Sequence, residues 1–168
     1  MTLDALNVVD DATFVGALGF IFEDSPWVAA GAWARRPFAD IEALHAAMCA
    51  VVRAAPLAAR VALIAAHPDL VGRAALAGTL SPASATEQAA AGLDRLDPEE
   101  IAMFARLNAA YRARFGFPFV ICVRANKKAA IVRGLQTRIG NDRATEIAVA
   151  LDEIAKIAHL RLLDAVSC

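Results

Sequence analysis

One stretch of this chain marks both of its own ends. Asp97-Pro98-Glu99-Glu100 is a helix start. It offers a capping carboxylate, a proline at the first helical position and two acids at the positive end of the helix dipole. Gly116 is the matching stop, because glycine takes the left-handed conformation that ends many helices. Between them Ile101, Phe104, Leu107, Tyr111 and Phe115 recur at threes and fours. That period commits the segment to a long helix with one apolar face, and other elements must cover that face.

The remaining segments also read as helices. Asp10 or Asp11 caps a helix that carries Phe14, Leu18 and Ile21 on one face. Ser25-Pro26 repeats the pattern of serine at the cap and proline at the first helical position. Asp40 caps a helix with Ile41, Leu44, Met48, Val51 and Val52 facing inward, and Pro56 divides it from the apolar run that follows. Residues 69–82 contain Gly72 and Gly78 and predict short helical turns and loop. A short helix is expected over 84–93. Another carries Ile131, Leu135 and Ile139 and ends at Gly140. Asn141 or Asp142 caps the last helix, with Ile147, Leu151, Ile154 and Ala158 inward. Apolar residues make up 58% of the chain, inflated by alanine, the best helix former. The expectation is an all-α, single-domain bundle over residues 1–168, with roughly seven to nine helices and extended loops lining its site.

The net charge is −1 with both signs dispersed, and no basic block is interleaved with aromatics, so nucleic acid is not an expected partner. No uncharged apolar run reaches the ~18 residues of a membrane span. The start Met1-Thr2-Leu3-Asp4 lacks a basic region followed by an apolar one, so no secretory signal is expected. Cys49, Cys122 and Cys168 are far apart and show neither metal-ligand spacing nor a disulfide framework. Val166-Ser167-Cys168 is not a peroxisomal or prenylation signal. A cytoplasmic protein without a bound metal is the expectation.

Three stretches and one charge stand out chemically. Val61-Ala62-Leu63-Ile64-Ala65-Ala66 has no polar side chain, and His67-Pro68-Asp69-Leu70 follows it. Proline pushes the residue before it out of helical geometry, so His67 falls where a buried element breaks. It reads either as a hydrogen-bonded core histidine or as a general acid or base. Ser84-Ala85-Thr86-Glu87-Gln88 has the form of a capping box. Alternatively its amides, carboxylate and side-chain amide face an anionic ligand. Phe119, Val120, Ile121, Cys122 and Val123 follow Pro118 and predict an extended segment, either buried filler or a backbone that reads a flat heterocycle. Arg161 falls on the apolar stripe of the last helix. It either snorkels near a frayed end or turns inward to bind a carboxylate. Asp69 is a conceivable partner for His67; His45 and His159 read as structural, and Arg124, Lys127 and Lys128 as a solvated patch.

Together these stretches resemble the 2-oxo-4-hydroxy-4-carboxy-5-ureidoimidazoline (OHCU) decarboxylase family of urate catabolism. The resemblance runs through Ser25-Pro26-Trp27-Val28, Arg36-Pro37-Phe38, His67-Pro68-Asp69-Leu70, Ser84-x-x-Glu87-Gln88 and Ala91-Gly92-Leu93. It continues through Leu107-Asn108-x-x-Tyr111, Phe115-Gly116-Phe117-Pro118-Phe119-Val120 and Ile157-Ala158-x-x-Arg161-Leu162. It implies a cofactor-free decarboxylase, usually a homodimer, that converts OHCU to (S)-allantoin and carbon dioxide. It also implies His67 as the catalytic acid or base, with Glu87 beside it. Pro68, Ser84, Ala85, Thr86, Glu87, Gln88, Phe119, Val120, Ile121, Cys122, Val123 and Arg161 would line the substrate site. The competing readings are a non-enzymatic helical interaction module, a same-scaffold enzyme for another ureido heterocycle, and metal-assisted hydrolysis.

Overall fold

The computed structural model describes residues 1–167, and of residues 73 and 74 the backbone alone; Cys168 lies outside the described residues. Among the described residues ten α-helical segments and one 3-10 turn follow one another, and the β pairing is an isolated bridge between Thr2 and Ser167. The fold is all-α, as expected. Two of the helices are short, Leu3–Val8 and Arg73–Leu76, and the eight longer ones fall within the expected number. The chain divides into two compact units. One comprises Met1–Ala66 with the chain from Ala155 onward, and the other His67–Ile154.

The first unit contains α1 (Leu3–Val8), α2 (Asp11–Leu18), α3 (Pro26–Trp33), α4 (Ile41–Ala54) and α5 (Leu57–Ala66). Three of these begin on side-chain caps. Thr2 accepts from the Ala5 amide, Asp10 from Thr13 and Asp40 from Ala43, at 3.2, 2.8 and 2.7 Å. Ser25 occupies the cap position of α3 with Pro26 after it, but its side chain makes no capping bond. The cap expected from Ser25-Pro26 is therefore positional only. Helix α3 packs on α2 and α4. A Cβ added at Gly31 would stand 2.7 Å from Val51 Cγ1, so the contact between α3 and α4 needs a glycine there. Leu6, Phe14, Val28, Leu44, Met48 and Ile64 are fully buried. Each such side chain contributes about 1.5–3 kcal/mol of hydrophobic stabilisation. No single helix among the described residues is long and apolar enough to cross a membrane; α4 and α5 reach that length only together and are bent by 120°.

The second unit holds α6 (Arg73–Leu76), α7 (Pro82–Ala90), α8 (Pro98–Phe115), the 3-10 turn Val123–Ala125 and α9 (Lys128–Arg138). The last helix, α10 (Arg143–Ala165), begins in this unit and ends in the first. Helix α8 has the ends read from its sequence. Asp97 accepts from the Glu100 amide at 2.8 Å, Glu100 accepts from the Asp97 amide at 3.2 Å, and Gly116 closes the helix at φ 79°. Asp142 caps α10 by accepting from the Thr145 amide at 2.9 Å, and these bonds lower its carboxyl pKa. The buried positions of α8 are Phe104, Asn108, Tyr111 and Phe115. Two of the four are polar, and both make contacts that shape the site.

Candidate active site

Helix α5 ends at Ala66, and His67 follows at the break before Pro68, with 6% of its surface exposed. The loop it opens is tied down by neighbours at three points. Asn108 of α8 donates to the Leu70 carbonyl at 2.8 Å. Gln88 of α7 accepts from the Val71 amide at 3.1 Å. Arg112, one turn beyond Asn108, donates to both carboxylate oxygens of Asp69 at 2.9 Å. Asp69 is thus engaged by Arg112, and the sequence reading that offered it to His67 gives way to this pair. Val71 has a φ of +53°. This conformation is strained for a β-branched residue, and the surrounding ties hold it in place.

Helix α7 turns its polar side inward. Its buried residues are Ser84, Glu87 and Gln88, spaced three and four apart on one face, while Ala85 and Thr86 are exposed. Ser84 and Glu87 do not form the capping box that their spacing predicts. Ser81 is the cap and Pro82 the first helical residue, so Ser84 sits at the third position and its own amide is the one capped, at 3.3 Å. The helix therefore starts two residues earlier than expected. Glu87 lies mid-helix, where a capping role is not open to it.

Gly116 ends α8 and releases the chain into the segment 117–122, which has no regular secondary structure. Val123 already belongs to the 3-10 turn that packs against α7, so the extended run stops one residue earlier than predicted. Phe117, Phe119, Val120, Cys122 and Val123 are buried and Ile121 is half-buried. Tyr111 meets the Phe119 ring edge-on at 5.4 Å between centroids. Gly134 of α9 lies against this segment: a Cβ there would make ordinary van der Waals contact with the Phe119 ring at 3.4 Å and with Ile121 Cδ1 at 3.5 Å.

The backbone of the segment is held by charged side chains. Arg138 donates to the Val120 carbonyl at 2.8 Å, with its guanidinium 4.4 Å from the centre of the Phe119 ring. Glu153 accepts from the Cys122 amide at 2.7 Å, and Asn126 donates to the Cys122 carbonyl at 2.9 Å. The Cys122 N–H is thereby taken by Glu153, whereas the Val120 and Cys122 carbonyls each keep a second lone pair. Behind Arg138 stands Glu146, fully buried. It accepts from Arg138 Nε at 2.8 Å, from Asn141 at 2.8 Å and from the Tyr111 hydroxyl.

The OHCU decarboxylase family model matches residues 7–163, and so runs through both units. The chain belongs to the OHCU decarboxylase family. It is 41% identical over 168 residues to the 2-oxo-4-hydroxy-4-carboxy-5-ureidoimidazoline decarboxylase of Amia calva, covering 100% of this chain and 96% of that one. To the protein of the same name from Haloferax volcanii it is 42% identical, covering 98% of this chain and 95% of that one. A crystal structure of (S)-allantoin synthase superposes with a TM-score of 0.76 at 31% identity. The match takes in 99% of this chain and 54% of that one, so the chain spans about half of that structure's length.

In this OHCU decarboxylase family member, the second unit brings together three of the stretches singled out in the sequence. Gln88 ties the His67 loop to α7, and α7 packs on the turn that ends the segment 117–122. Two cavities of about 540 and 380 Å³ flank α7. The larger is lined by Ala90, Val123, Arg124 and Lys127, the smaller by Val71, Ala85, Gln88 and Ile101; His67 and Glu87 line neither. Arg161 belongs to the first unit. It turns inward, one of the two readings open for it, with 3% exposed, and the carboxylate it meets is Glu23, itself buried, at 3.0 Å. It also donates to the carbonyls of Phe20 and Ile21 at 3.2 and 3.4 Å. His45 and His159 form a surface-side cluster in the same unit, with His159 bonded to Glu42 at 2.6 Å and His45 to the Ala155 carbonyl at 2.9 Å.

Sequence reasoning passed over Arg138, Glu146, Glu153 and Glu23. A signal existed for two of them. Glu146, Ala150, Glu153, Ile157 and Arg161 recur at fours and threes on α10, and all five are buried. The stripe drawn through Ile147, Leu151 and Ile154 was therefore too narrow.

Two titrations follow from this packing. Burial pushes the Cys122 thiol above its ordinary 9.0, and the charges of Glu153 and Glu87 push it the same way. We predict that Cys122 resists iodoacetamide at neutral pH in the folded protein and reacts at the free-thiol rate once the chain is denatured, as read by peptide mapping. Burial, followed by the bond to Glu146, raises the Tyr111 hydroxyl well above its ordinary value. A raised pKa favours the neutral phenol in the fold. Its stabilisation is complete below pH ~10 and is lost as pH rises beyond that, by about 1.4 kcal/mol per pH unit. Tyr111 is the one tyrosine in the chain, so near-ultraviolet absorbance reports it directly. Tyrosinate is expected to appear only as the protein unfolds, and Tyr111→Phe is expected to flatten the alkaline loss of stability.

Proposed function

We propose that the His67 loop, the inward face of α7 and the segment 117–123 form the site at which this chain decarboxylates OHCU to (S)-allantoin and carbon dioxide in urate degradation. The observation that carries this reading is the inward face of α7. A helix that buries a hydroxyl, a carboxylate and an amide gains little hydrophobic stabilisation from that burial, and this arrangement suits a polar ligand. Membership of the family supplies the substrate and makes the protein a carboxy-lyase.

The chemistry divides into three tasks. When the bond to the carboxylate breaks, its electron pair enters the oxo-imidazoline ring, which delocalises it; the substrate thereby supplies the electron sink. The protein orients the anion, steadies the charge moving into the ring, and delivers one proton to one face, which sets the S configuration. We assign the proton to His67, at the hydroxyl or the reacting carbon. With its carbonyl oxygen fixed by Val71, Gln88 is oriented so that its NH2 is the end able to donate toward developing charge. Glu87 aligns a ring or ureido N–H. Pro68, Ser84, Ala85, Thr86 and the segment Phe119, Val120, Ile121, Cys122 and Val123 complete the binding surface. The assignment of Arg161 as an anchor for a substrate oxygen or carboxylate rests on the family resemblance. The same resemblance supports a homodimer, which sedimentation would check, and a domain that acts as a whole over residues 1–168; a cytoplasmic location is proposed from the dispersed cysteines, which show no disulfide framework.

The deciding experiment is a coupled assay from urate that follows the loss of OHCU and the optical activity of the allantoin. Racemic product at the spontaneous rate overturns the proposal. A second measurement isolates Glu87. Because Glu87 sits mid-helix, Glu87→Gln removes the negative charge without disturbing a cap. The expected result is about a tenfold or larger loss in kcat/KM with unchanged thermal stability. Normal turnover by this variant would make the carboxylate structural.

A further inference from the structure

The segment that follows α8 is held at three of its backbone groups by side chains from outside it. Two of these anchors, at the Val120 carbonyl and the Cys122 amide, trace to buried carboxylates seven residues apart on α10. Glu153 takes the Cys122 amide directly, at 2.7 Å. Glu146 acts through Arg138. Its Oε1 accepts from Arg138 Nε at 2.8 Å and Nη2 at 2.5 Å and from the Tyr111 hydroxyl, and its Oε2 accepts from Asn141 at 2.8 Å. Two nitrogens of the guanidinium are thereby fixed against one carboxylate oxygen. The third, Nη1, is aimed at the Val120 carbonyl, at 2.8 Å.

The same four residues would serve a purely structural ion pair if Arg138 ended on Glu146. It does not: the planar fork spans a buried carboxylate and a backbone carbonyl two residues before Cys122. Lysine, a flexible point charge without the planar fork, does not reproduce this two-sided grip. We propose that Arg138 and Glu146 are positioning residues for the decarboxylation, setting the course of the backbone at Val120, Ile121 and Cys122. This inference rests on the reading of Phe119 to Val123 as substrate-binding. A displacement of about 1 Å at a binding surface is enough to cost about 100-fold in rate. Tyr111 and Asn108 tie the arrangement to α8: Asn108 holds the His67 loop, and Tyr111, three residues on, holds Glu146.

The test uses Arg138→Lys and, as a second variant of unchanged shape, Glu146→Gln. Backbone amide signals of residues 119–123 are followed by NMR while (S)-allantoin is titrated, alongside kcat, KM and the enantiomeric excess of the product. In the wild type the amide signals of 119–123 should shift on addition of (S)-allantoin. In a folded Arg138→Lys protein kcat should fall about 10- to 100-fold, more than KM changes. The Cys122 amide should exchange faster with solvent, while amides in α8 keep their protection. If Arg138→Lys does not fold, Glu146→Gln is expected to give the same pattern. Wild-type turnover in a folded variant, with the wild-type signals responding to (S)-allantoin, overturns the positioning role and leaves the substrate segment standing. No response of 119–123 in the wild type overturns the substrate segment and the inference together.

Discussion

Replacement of His67 by alanine is expected to lower stereospecific turnover by about 10²- to 10⁴-fold, the range that a positioned general acid or base supplies. The allantoin that still forms should be racemic, because solvent protonates either face of the ring. The substitution should leave the fold in place. The loop carrying His67 is held through the Leu70 carbonyl, the Val71 amide and the Asp69 carboxylate. None of those ties passes through the imidazole. The measurement is optical rotation of the product during turnover, with thermal unfolding of the same sample as the control. Near wild-type rate with S product would remove His67 from the proton transfer.

The largest effect on stability is expected at Glu146. Its side chain is fully buried, and Arg138, the cation it neutralises, is only 13% exposed. Glu146→Ala leaves that guanidinium desolvated and uncompensated, and deprives Tyr111 and Asn141 of their acceptor. Removing one partner of a buried ion pair costs about 3–5 kcal/mol. Urea denaturation should show a loss of that size, whereas Glu146→Gln, which retains an acceptor and its volume, should lose markedly less. Equal losses for the two variants would mean that the charge, which both remove, carries the whole effect and that the acceptor and the volume add nothing to it.

The helices were legible because their signals are local. Asp97 bounds α8 with its side-chain carboxylate and Pro98 and Gly116 with their backbone conformations, and Asp40 and Asp142 cap where expected. His67 stood out because a proline after an apolar run is also a local fact. The errors came where a residue's role depends on something distant in sequence. Ser84 matched a capping pattern, yet Ser81 and Pro82 start the helix, and Ser84 turns inward instead. Asp69 was close to His67 in sequence, but its partner Arg112 lies 43 residues away. The spacing of Glu146 and Glu153 with Ala150, Ile157 and Arg161 marks one buried face of α10. It does not name what holds them there, because Arg138, Tyr111 and the Cys122 amide lie outside that helix.

The seven-residue interval between Glu146 and Glu153 restricts how this family member can vary. Seven residues are almost two turns, so both carboxylates face the same way and serve points two residues apart on one strand of chain. Exchanging side chains at solvent-facing positions between them leaves that geometry alone. Losing or gaining one residue there does not, since it would swing one carboxylate about 100° around the axis relative to the other. This stretch of α10 should therefore tolerate many replacements and no change of length, and a library of single deletions scored for folding would map that boundary residue by residue.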